Sequence, residues 1–207
     1  MPRKAYSEQE REQIRETLLV TTLRCIVERG FIHSSIEFIC NQVGISKSFF
    51  YSFFHSKEEL ILEALRYQQP KLFHYAQSLM DDSKYTWREG ITLFLHNCCY
   101  GNKSGIAVLT MEEEKEVYRC LSTENFQAFQ RDQIILYGKL MSIFRIPVEA
   151  IDPRLFGNLI LAMIMVYKAI PNTLPFLFPE IADNMVDFQI NTLLNEIERA
   201  MKNNTQS

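Results

Sequence analysis

The sequence predicts an all-α protein, with a three-helix domain at its N-terminus and a larger helical domain after it. Apolar residues recur at helical spacing along most of the 207 residues. The chain is rich in Phe, Met, Leu and Ile but contains only seven glycines and seven prolines, a composition that suits helices. Serine or threonine is followed three residues later by glutamate at several points, which is the pattern of a helix capping box. The predicted domains are residues 1–56 and 57–207.

The first long helix begins at a capping box formed by Ser7 and Glu10 and ends at Gly30. Its inner stripe consists of Ile14, Leu18, Thr22, Cys25 and Ile26. A short basic tail that carries Arg3 and Lys4 precedes it. Such a tail either frays or reaches into the minor groove of a bound duplex.

Two short helices around a tight turn follow, and the rest of the chain is organised around them. Ser34 with Glu37 is a further capping box, and Gly44 ends the first of these helices because glycine tolerates a left-handed backbone. Ser46 then caps a second helix, predicted over residues 47–54. Two helices joined by a short turn with glycine form the arrangement that places the second helix in the major groove of DNA.

The outer face of the second helix is free of carboxylates. Phe50 and Phe54 lie four residues apart on its inner face, and no acidic residue occurs between Phe38 and Lys57. Small hydroxyl groups, an ammonium group and aromatic rings can approach phosphates and base edges without repulsion. The candidate DNA-contacting residues are Ser35, Ser46, Lys47, Ser48, Phe49, Tyr51, Ser52, His55 and Lys57. The alternative is an ordinary helical hairpin with a solvated, serine-rich face.

A run of motifs extends without a gap from residue 18 to residue 60. It consists of Arg29-Gly30-Phe31, Ser34-Ser35-Ile36, Ile39-Cys40, Val43-Gly44-Ile45-Ser46-Lys47, Phe50-Tyr51, Phe53-Phe54 and Ser56-Lys57-Glu58-Glu59-Leu60. Together these motifs resemble the N-terminal signature of the TetR family of transcriptional regulators. The chain departs from the family in packing at Thr21-Thr22 and Ile26. It also departs at Ser48-Phe49, where the family more often has glycine and threonine, and this changes the surface that reads DNA.

The resemblance implies a sequence-specific transcriptional regulator: a repressor that a small, mostly apolar effector releases from a palindromic DNA operator. It implies that residues 1–56 bind DNA and that residues 57–207 bind the effector and form a homodimer. Residues 46–49 occupy the first turn of the second helix and are expected to meet base edges. The resemblance assigns Tyr51, His55 and Lys57 to the phosphate backbone, with Lys57 beside the N-terminus of the next helix.

Further caps mark the helices of the second domain. Ser56 and Glu59 form a capping box, and Pro70 either kinks the helix that it opens or ends it. Thr86 and Glu89 cap another helix.

The middle of the chain alternates between loops and helices. Residues 101–105 and 171–179 are predicted loops, and the apolar residues 106–111 are expected to be helical or buried. The charged run 112–116 is expected to be a solvated helix end. A long helix then ends before Pro147.

Two apolar helices close the sequence. Asp152 caps the first of them, with Pro153 at its first position, and the last helix covers residues 180–202. We expect these helices to pack against the same helices of a second chain, because helix–turn–helix modules usually read two half-sites. The alternative is that they form the core of a monomer.

Aromatic and methionine side chains of the second domain are the candidates for an effector pocket. They are Trp87, Phe94, Tyr100, Met111, Phe126, Phe129, Tyr137, Met163 and Tyr167. A cavity lined by them would suit an apolar or aromatic compound. The alternative for each residue is a place in the core.

Metal, redox and catalytic sites find little support in the sequence. His96, Cys98 and Cys99 do not match a closed metal site, because adjacent residues on a helix point about 100° apart. A thiol-responsive regulator of the same fold would need Cys98, Cys99 or Cys120. There is no nucleophile elbow, glycine-rich phosphate loop or pair of carboxylates in an apolar frame. We therefore predict no cofactor, no metal and no enzymatic activity.

Composition also bounds the compartment and the partners. The five cysteines are odd in number and lack a paired framework, and we find no signal peptide or membrane-spanning run. The prediction is a cytoplasmic protein with no membrane partner. Residues 1–60 carry as many acidic as basic residues, unlike a non-specific nucleic-acid binder. The competing class is a helical interaction protein or enzyme whose hairpin only resembles the motif.

Overall fold

The computed structural model describes residues 6–100, 106–170 and 177–204. Within these ranges the chain forms ten α-helices and one short 3₁₀ turn, and they contain no strand, which confirms the predicted all-α class. The basic tail at Arg3 and Lys4 and the predicted loop at 101–105 lie outside the described residues, as does most of the predicted loop at 171–179. None of the described helices is both long and apolar enough to cross a bilayer.

The helices follow one another with short connections. Their bounds are α1 Glu8–Arg29, α2 Ile36–Val43, α3 Lys47–Phe50, α4 Lys57–Tyr67, α5 Gln69–Asp81, α6 Trp87–Cys99, α7 Met111–Cys120, α8 Thr123–Ile143, α9 Pro153–Ala169 and α10 Ala182–Asn204. A 3₁₀ turn at Pro179–Ile181 precedes α10.

The described residues divide into two compact units. The first contains residues 6–68 and 106–120, and the second contains residues 69–100, 121–170 and 177–204. The first unit extends past the predicted boundary at residue 56 because Leu60 and Ala64 of α4 are fully buried in its core. Apolar burial of this kind is the main force that holds such a small domain together.

Most of the predicted caps lie at helix starts in the structure. The hydroxyl of Ser7 accepts the Glu10 N–H while the Glu10 carboxylate accepts the Ser7 N–H, so this capping box is confirmed. The capping box of Thr86 and Glu89 is confirmed in the same way. Asp152 caps α9, where its carboxylate accepts the N–H of the second helical residue.

The cap predicted for α2 is wrong by one residue. Ser35, not Ser34, is the N-cap, and its hydroxyl accepts the Phe38 N–H at 3.1 Å. Ser34 is 2% exposed and donates its hydroxyl to the Gly30 carbonyl at 2.8 Å. Both serines have cap chemistry, and the path of the chain into the core selects between them.

The capping box predicted for α4 is only half formed. Ser56 accepts the Glu59 N–H at 3.0 Å as predicted, but the Glu59 carboxylate accepts the His55 N–H at 2.6 Å. α4 ends at Tyr67, and α5 begins at Gln69. Pro70 therefore lies in the first turn of α5, where its missing N–H has no intrahelical partner to lose.

The charged run 112–116 is not a uniformly solvated helix end. It lies in the first half of α7, and Glu113 is 4% exposed. The apolar residues before it are buried at Ile106, Ala107 and Leu109 but are not helical. Glu113 is buried because its side chain packs on the corner between α1 and α2, where it accepts the Phe31 N–H.

Helices α5, α6, α8, α9 and α10 form the second unit. α6 packs on α5, α9 and α10, while α8 packs on α5 and α9. The largest fully buried side chains of this unit are Ile91, Phe94, Leu95, Phe144 and Phe156. Cys98 and Cys99 are buried in this unit, and Cys25 and Cys40 are buried in the first.

Candidate nucleic-acid interface

The turn between α2 and α3 has the backbone that glycine was predicted to provide. Gly44 adopts φ 77° and ψ 31°, a left-handed conformation, and its N–H donates to the Cys40 carbonyl at 2.8 Å. The Ile45 N–H donates to the same carbonyl at 3.0 Å. Ser46 then caps α3 by accepting the Phe49 N–H at 3.2 Å. The chain therefore turns sharply and starts the second helix at the predicted residue.

Helix α3 is shorter than predicted. Its helical part is Lys47–Phe50, and residues 51–53 continue as turns rather than as an α-helix. The inner face is as expected, because Phe50 and Phe54 are fully buried with their ring centroids 5.9 Å apart. These two rings anchor α3 to the core and leave its opposite face in solvent.

The outer face of α3 presents hydroxyl groups and one ammonium group to solvent. Exposed side chains on it and just after it are Ser46, Lys47, Ser48, Tyr51, Ser52 and His55. The hydroxyls of Ser46 and Ser48 lie 3.1 Å apart. The predicted contact Ser35 is also exposed, although its hydroxyl is engaged as the α2 cap.

Phe49 packs in an aromatic cluster at the edge of this face. Its ring stacks on Tyr6 with centroids 4.7 Å apart and meets Phe53 edge-on at 5.0 Å. The Arg11 guanidinium lies 4.7 Å from the centre of the Phe53 ring and 5.6 Å from that of Phe49. Phe49 is thus half-buried, and only part of its ring faces outward.

Tyr6 and Arg11 lie beside the candidate interface, although no sequence pattern pointed to them. Arg11 donates to the Ser52 carbonyl at 3.2 Å and to its hydroxyl at 3.4 Å, across 41 positions of sequence. Together with the turn they line a cleft of about 560 Å³, whose walls are Tyr6, Arg11, Gly44, Ile45, Ser46, Ser48, Phe49 and Ser52. A contact between residues so far apart leaves no periodic signal.

Lys57 does not project toward the candidate interface as a phosphate ligand would. Its Nζ donates to the Phe31 carbonyl at 2.7 Å and lies 3.8 Å from the centre of the Phe31 ring. Burial lowers the pKa of the Lys57 ammonium, and the nearby Glu58 and Glu113 oppose that shift. The Glu59 carboxylate also occupies the adjacent N-terminus of α4. In this structure the Lys57 ammonium is therefore engaged by Phe31, whereas the prediction placed it at the DNA backbone.

Comparison with known proteins identifies the first unit. A family model described as "Bacterial regulatory proteins, tetR family" matches residues 18–64. The chain carries a TetR-family N-terminal domain. Two relatives from Bacillus subtilis (strain 168) are named as HTH-type transcriptional regulators. YerO is 40% identical over 53 residues, which cover 26% of this chain and 18% of YerO. YuxN is 30% identical over 87 residues, which cover 40% of this chain and 30% of YuxN. The matches thus span less than a third of each relative.

Two solved structures share the fold over most of the chain. E. coli NemR in its reduced form superposes with a TM-score of 0.56 and 18% identity over 88% of this chain and 96% of NemR. A TetR-family regulator from Pectobacterium atrosepticum superposes with a TM-score of 0.56 and is 18% identical in sequence. The match covers 91% of this chain and 94% of that protein. The family match confirms the predicted TetR resemblance for residues 18–64, and the two solved structures, at 18% identity, show a shared fold. TetR-family regulators are transcription factors rather than enzymes, which agrees with the prediction of no enzymatic activity.

The candidate effector residues do not form one cluster. Met111 belongs to the first unit and is 43% exposed. Trp87 donates its indole N–H to the Phe144 carbonyl at 2.6 Å, and Phe94 meets the Phe144 ring edge-on. These contacts are those of a core, which is the alternative that the sequence left open.

The remaining candidates lie in other parts of the second unit. Tyr100 and Tyr167 meet edge-on at 4.7 Å, and Tyr100 donates its hydroxyl to Asp183 at 2.8 Å. Met163 is buried beneath a groove between α9 and α10, and Tyr137 packs on α9. Phe126 and Phe129 are half-buried on α8.

Proposed function

We propose that this chain is a sequence-specific, DNA-binding transcriptional regulator that places α3 in the major groove. The observation that carries the proposal is the α2–turn–α3 unit, anchored inward by Phe50 and Phe54 and free of carboxylates on its outer face. Hydroxyl groups and a lysine at the start of the second helix are positioned to meet base edges and phosphates in this type of docking.

The contacts divide between base reading and phosphate binding. Ser46, Ser48 and the outer edge of Phe49 face the bases, and an aromatic edge without hydrogen bonds suits a thymine methyl group. Lys47 and the exposed Tyr51 and His55 contact the backbone. Lys47 replaces Lys57 as the main cationic phosphate ligand on this face, because the Lys57 ammonium contacts Phe31 instead.

We propose that the regulator is a homodimer built through α9 and α10. These helices border an open groove of about 640 Å³ in the second unit. Large apolar side chains remain exposed along it, with Leu155 at 52%, Leu159 at 39% and Phe188 at 73%. An apolar patch of this kind marks an interaction site, and a second copy would provide the two-fold symmetry that a palindromic operator needs.

In this proposal the protein acts in the cytoplasm as a repressor and a small, mostly apolar effector releases it from the operator. The effector must then bind the DNA-free form more tightly, by about 1–3 kcal/mol for a typical coupling, and DNA must weaken the effector by the same factor. A candidate effector whose affinity is unchanged by saturating operator would contradict this part of the proposal.

A thiol-responsive mechanism is disfavoured for the buried pair. Burial raises the pKa of Cys98 to about 12 and that of Cys99 to about 11, so neither is a thiolate at neutral pH. Cys120 is the one exposed cysteine of the five.

Selection of bound DNA from a random pool tests the proposal. We expect a palindromic consensus whose binding weakens with salt. Lys47→Ala should lose affinity for the selected site, whereas Lys84→Ala, which removes an exposed lysine of the second unit, should not. Recovery of no consensus, or of equal affinity for all sequences, would favour the competing class of helical interaction protein.

A further inference from the structure

Residues 106–120, which we call the strap, pack on the N-terminal domain although they are distant from it in sequence. They belong to the first compact unit, while residues 69–100 and 121–170 belong to the second. The strap buries Ile106, Ala107, Leu109 and Val117. The family signature ends well before it, so the strap is not part of the helix–turn–helix motif itself.

The first anchor of the strap is the side-chain amide of Gln68, at the end of α4. Its Nε2 donates to the Ala107 carbonyl at 2.8 Å, and its Oε1 accepts the Ala107 N–H at 3.0 Å. Both main-chain polar groups of Ala107, which is 2% exposed, are thereby satisfied.

The second anchor is the buried carboxylate of Glu113. One oxygen accepts the Thr110 N–H at 2.7 Å, and the Thr110 hydroxyl accepts the Glu113 N–H at 3.3 Å, which is the geometry of a capping box at the start of α7. The other oxygen accepts the N–H of Phe31, in the corner between α1 and α2. A single side chain therefore caps α7 and holds the corner.

The corner is held from its other side by Lys57. The Phe31 N–H meets Glu113 and the Phe31 carbonyl meets the Lys57 ammonium, so two charged groups from different helices hold one peptide segment. Gly30 makes this approach possible. It has φ 80°, and a Cβ there would lie 2.7 Å from the Glu113 Oε1.

A buried carboxylate is unfavourable unless its hydrogen bonds are made. Glu113 therefore stays buried only while it bonds both Thr110 and Phe31. The corner at Phe31 leads directly into α2, and α2 carries α3 through the tight turn. We propose that Glu113 is a positioning residue for DNA recognition: it holds the α1–α2 corner in the orientation in which α3 reads DNA, so withdrawal of the strap weakens operator binding. This inference rests on the proposed DNA-binding function.

The test compares Glu113→Gln with Glu112→Gln, its exposed neighbour in the same helical turn. The measurements are affinity for the site selected by the wild type, the salt dependence of that affinity, and hydrogen exchange of the Phe31 amide, all well below each variant's melting temperature. Glu113→Gln should weaken binding by about tenfold or more, because glutamine offers one acceptor oxygen for the N–H groups of Phe31 and Thr110 and places an amide donor against the other. Its salt slope should be unchanged, and the Phe31 amide should exchange faster. Glu112→Gln should match the wild type.

Two outcomes with a folded variant contradict the inference. A folded Glu113→Gln protein that binds within about twofold of the wild type would overturn it, as would weaker binding with unchanged exchange at Phe31. If Glu113→Gln does not fold, Gln68→Ala releases the strap at its other anchor and carries the same expectations. A wild type that selects no DNA refutes the proposed function and this inference with it, whereas selection by the wild type with no effect of either variant refutes this inference alone.

Discussion

Gly157 of α9 lies directly against the ring of Tyr137 of α8. A Cβ at this position would overlap the ring, with Tyr137 Cγ only 2.8 Å away. The Tyr137 side chain is 8% exposed, so it has little free space into which to move. Close approach of two helices at a glycine is thus a structural requirement of the second unit.

Gly157→Ala should destabilise the protein by about 1–3 kcal/mol, because an extra methyl group in a packed interface forces its neighbours apart. Thermal unfolding measures the effect. Gly138→Ala is the matched control on α8, where a Cβ meets nothing within 4 Å. It should be neutral or stabilising by up to about 1 kcal/mol, from helix propensity alone. Equal effects of the two substitutions would contradict the packing argument.

Substitutions of Phe49 can show whether its side chain contacts a base or only supports the fold. Phe49→Ala should weaken binding by about 1 kcal/mol and relax the preference at one base pair in each half-site. Phe49→Leu keeps an apolar side chain against Tyr6 and Phe53 and should retain more of the stability. Selection from a random pool and thermal unfolding measure the two effects. If Phe49→Ala lowers the melting temperature and leaves the base preference intact, Phe49 supports the fold and does not read DNA.

Lys47 and Lys57 should behave differently although both lie near the proposed interface. Lys47→Ala should weaken binding to all sequences about equally and reduce the salt slope by about one unit, as expected of a phosphate contact. Lys57→Ala should leave the salt slope unchanged and lower thermal stability, because its ammonium bonds the Phe31 carbonyl. Titrations at several salt concentrations distinguish them, and a reduced slope for Lys57→Ala would show that its side chain reorients on DNA.

Dimerisation should depend on the exposed apolar residues of the groove. Phe188→Asp or Leu159→Glu should shift the protein toward monomer in sedimentation and weaken binding to a full palindrome in parallel, because a charge cannot be buried there unpaired. Ile135→Glu, at a 68% exposed position on α8 outside the groove, is the control. Ile164 and Leu193 are unsuitable sites, since both are buried within one chain. A Phe188→Asp dimer as stable as the wild type would exclude this interface.

Glu114 should make stability depend on pH in the mildly acidic range. Burial raises its pKa to about 6, and a hydrogen bond with Tyr118 opposes that shift. A raised folded-state pKa favours folding below the ordinary value near 4.5, and that contribution is lost as the pH rises through 6. Glu114→Gln should therefore gain on the order of 1 kcal/mol relative to the wild type between pH 5 and pH 8, allowing for partial exposure. Thermal unfolding at both pH values tests this, with the exposed Glu112→Gln as control.

Local features of the fold were readable from the sequence because their causes lie within one helical turn. The caps at Ser7, Thr86 and Asp152 depend on a side chain and amides two or three residues away. Gly44 ends α2 because a left-handed residue is needed there. Apolar periodicity identified Phe50 and Phe54 as the inner face of α3. The all-α class and the helix–turn–helix unit followed from such signals.

The tertiary structure alone decided which polar residues face solvent and which are engaged. Periodicity cannot distinguish a solvated helix face from one that meets a distant segment, so Glu113 was expected in solvent and Lys57 at the DNA. Their shared partner, Phe31, lies 82 positions from Glu113 and 26 from Lys57. The contacts of Arg11 with Ser52 and of Gly157 with Tyr137 are equally non-local. Such pairs form only when whole helices pack, because no signal within a single turn specifies which distant segment will cover it.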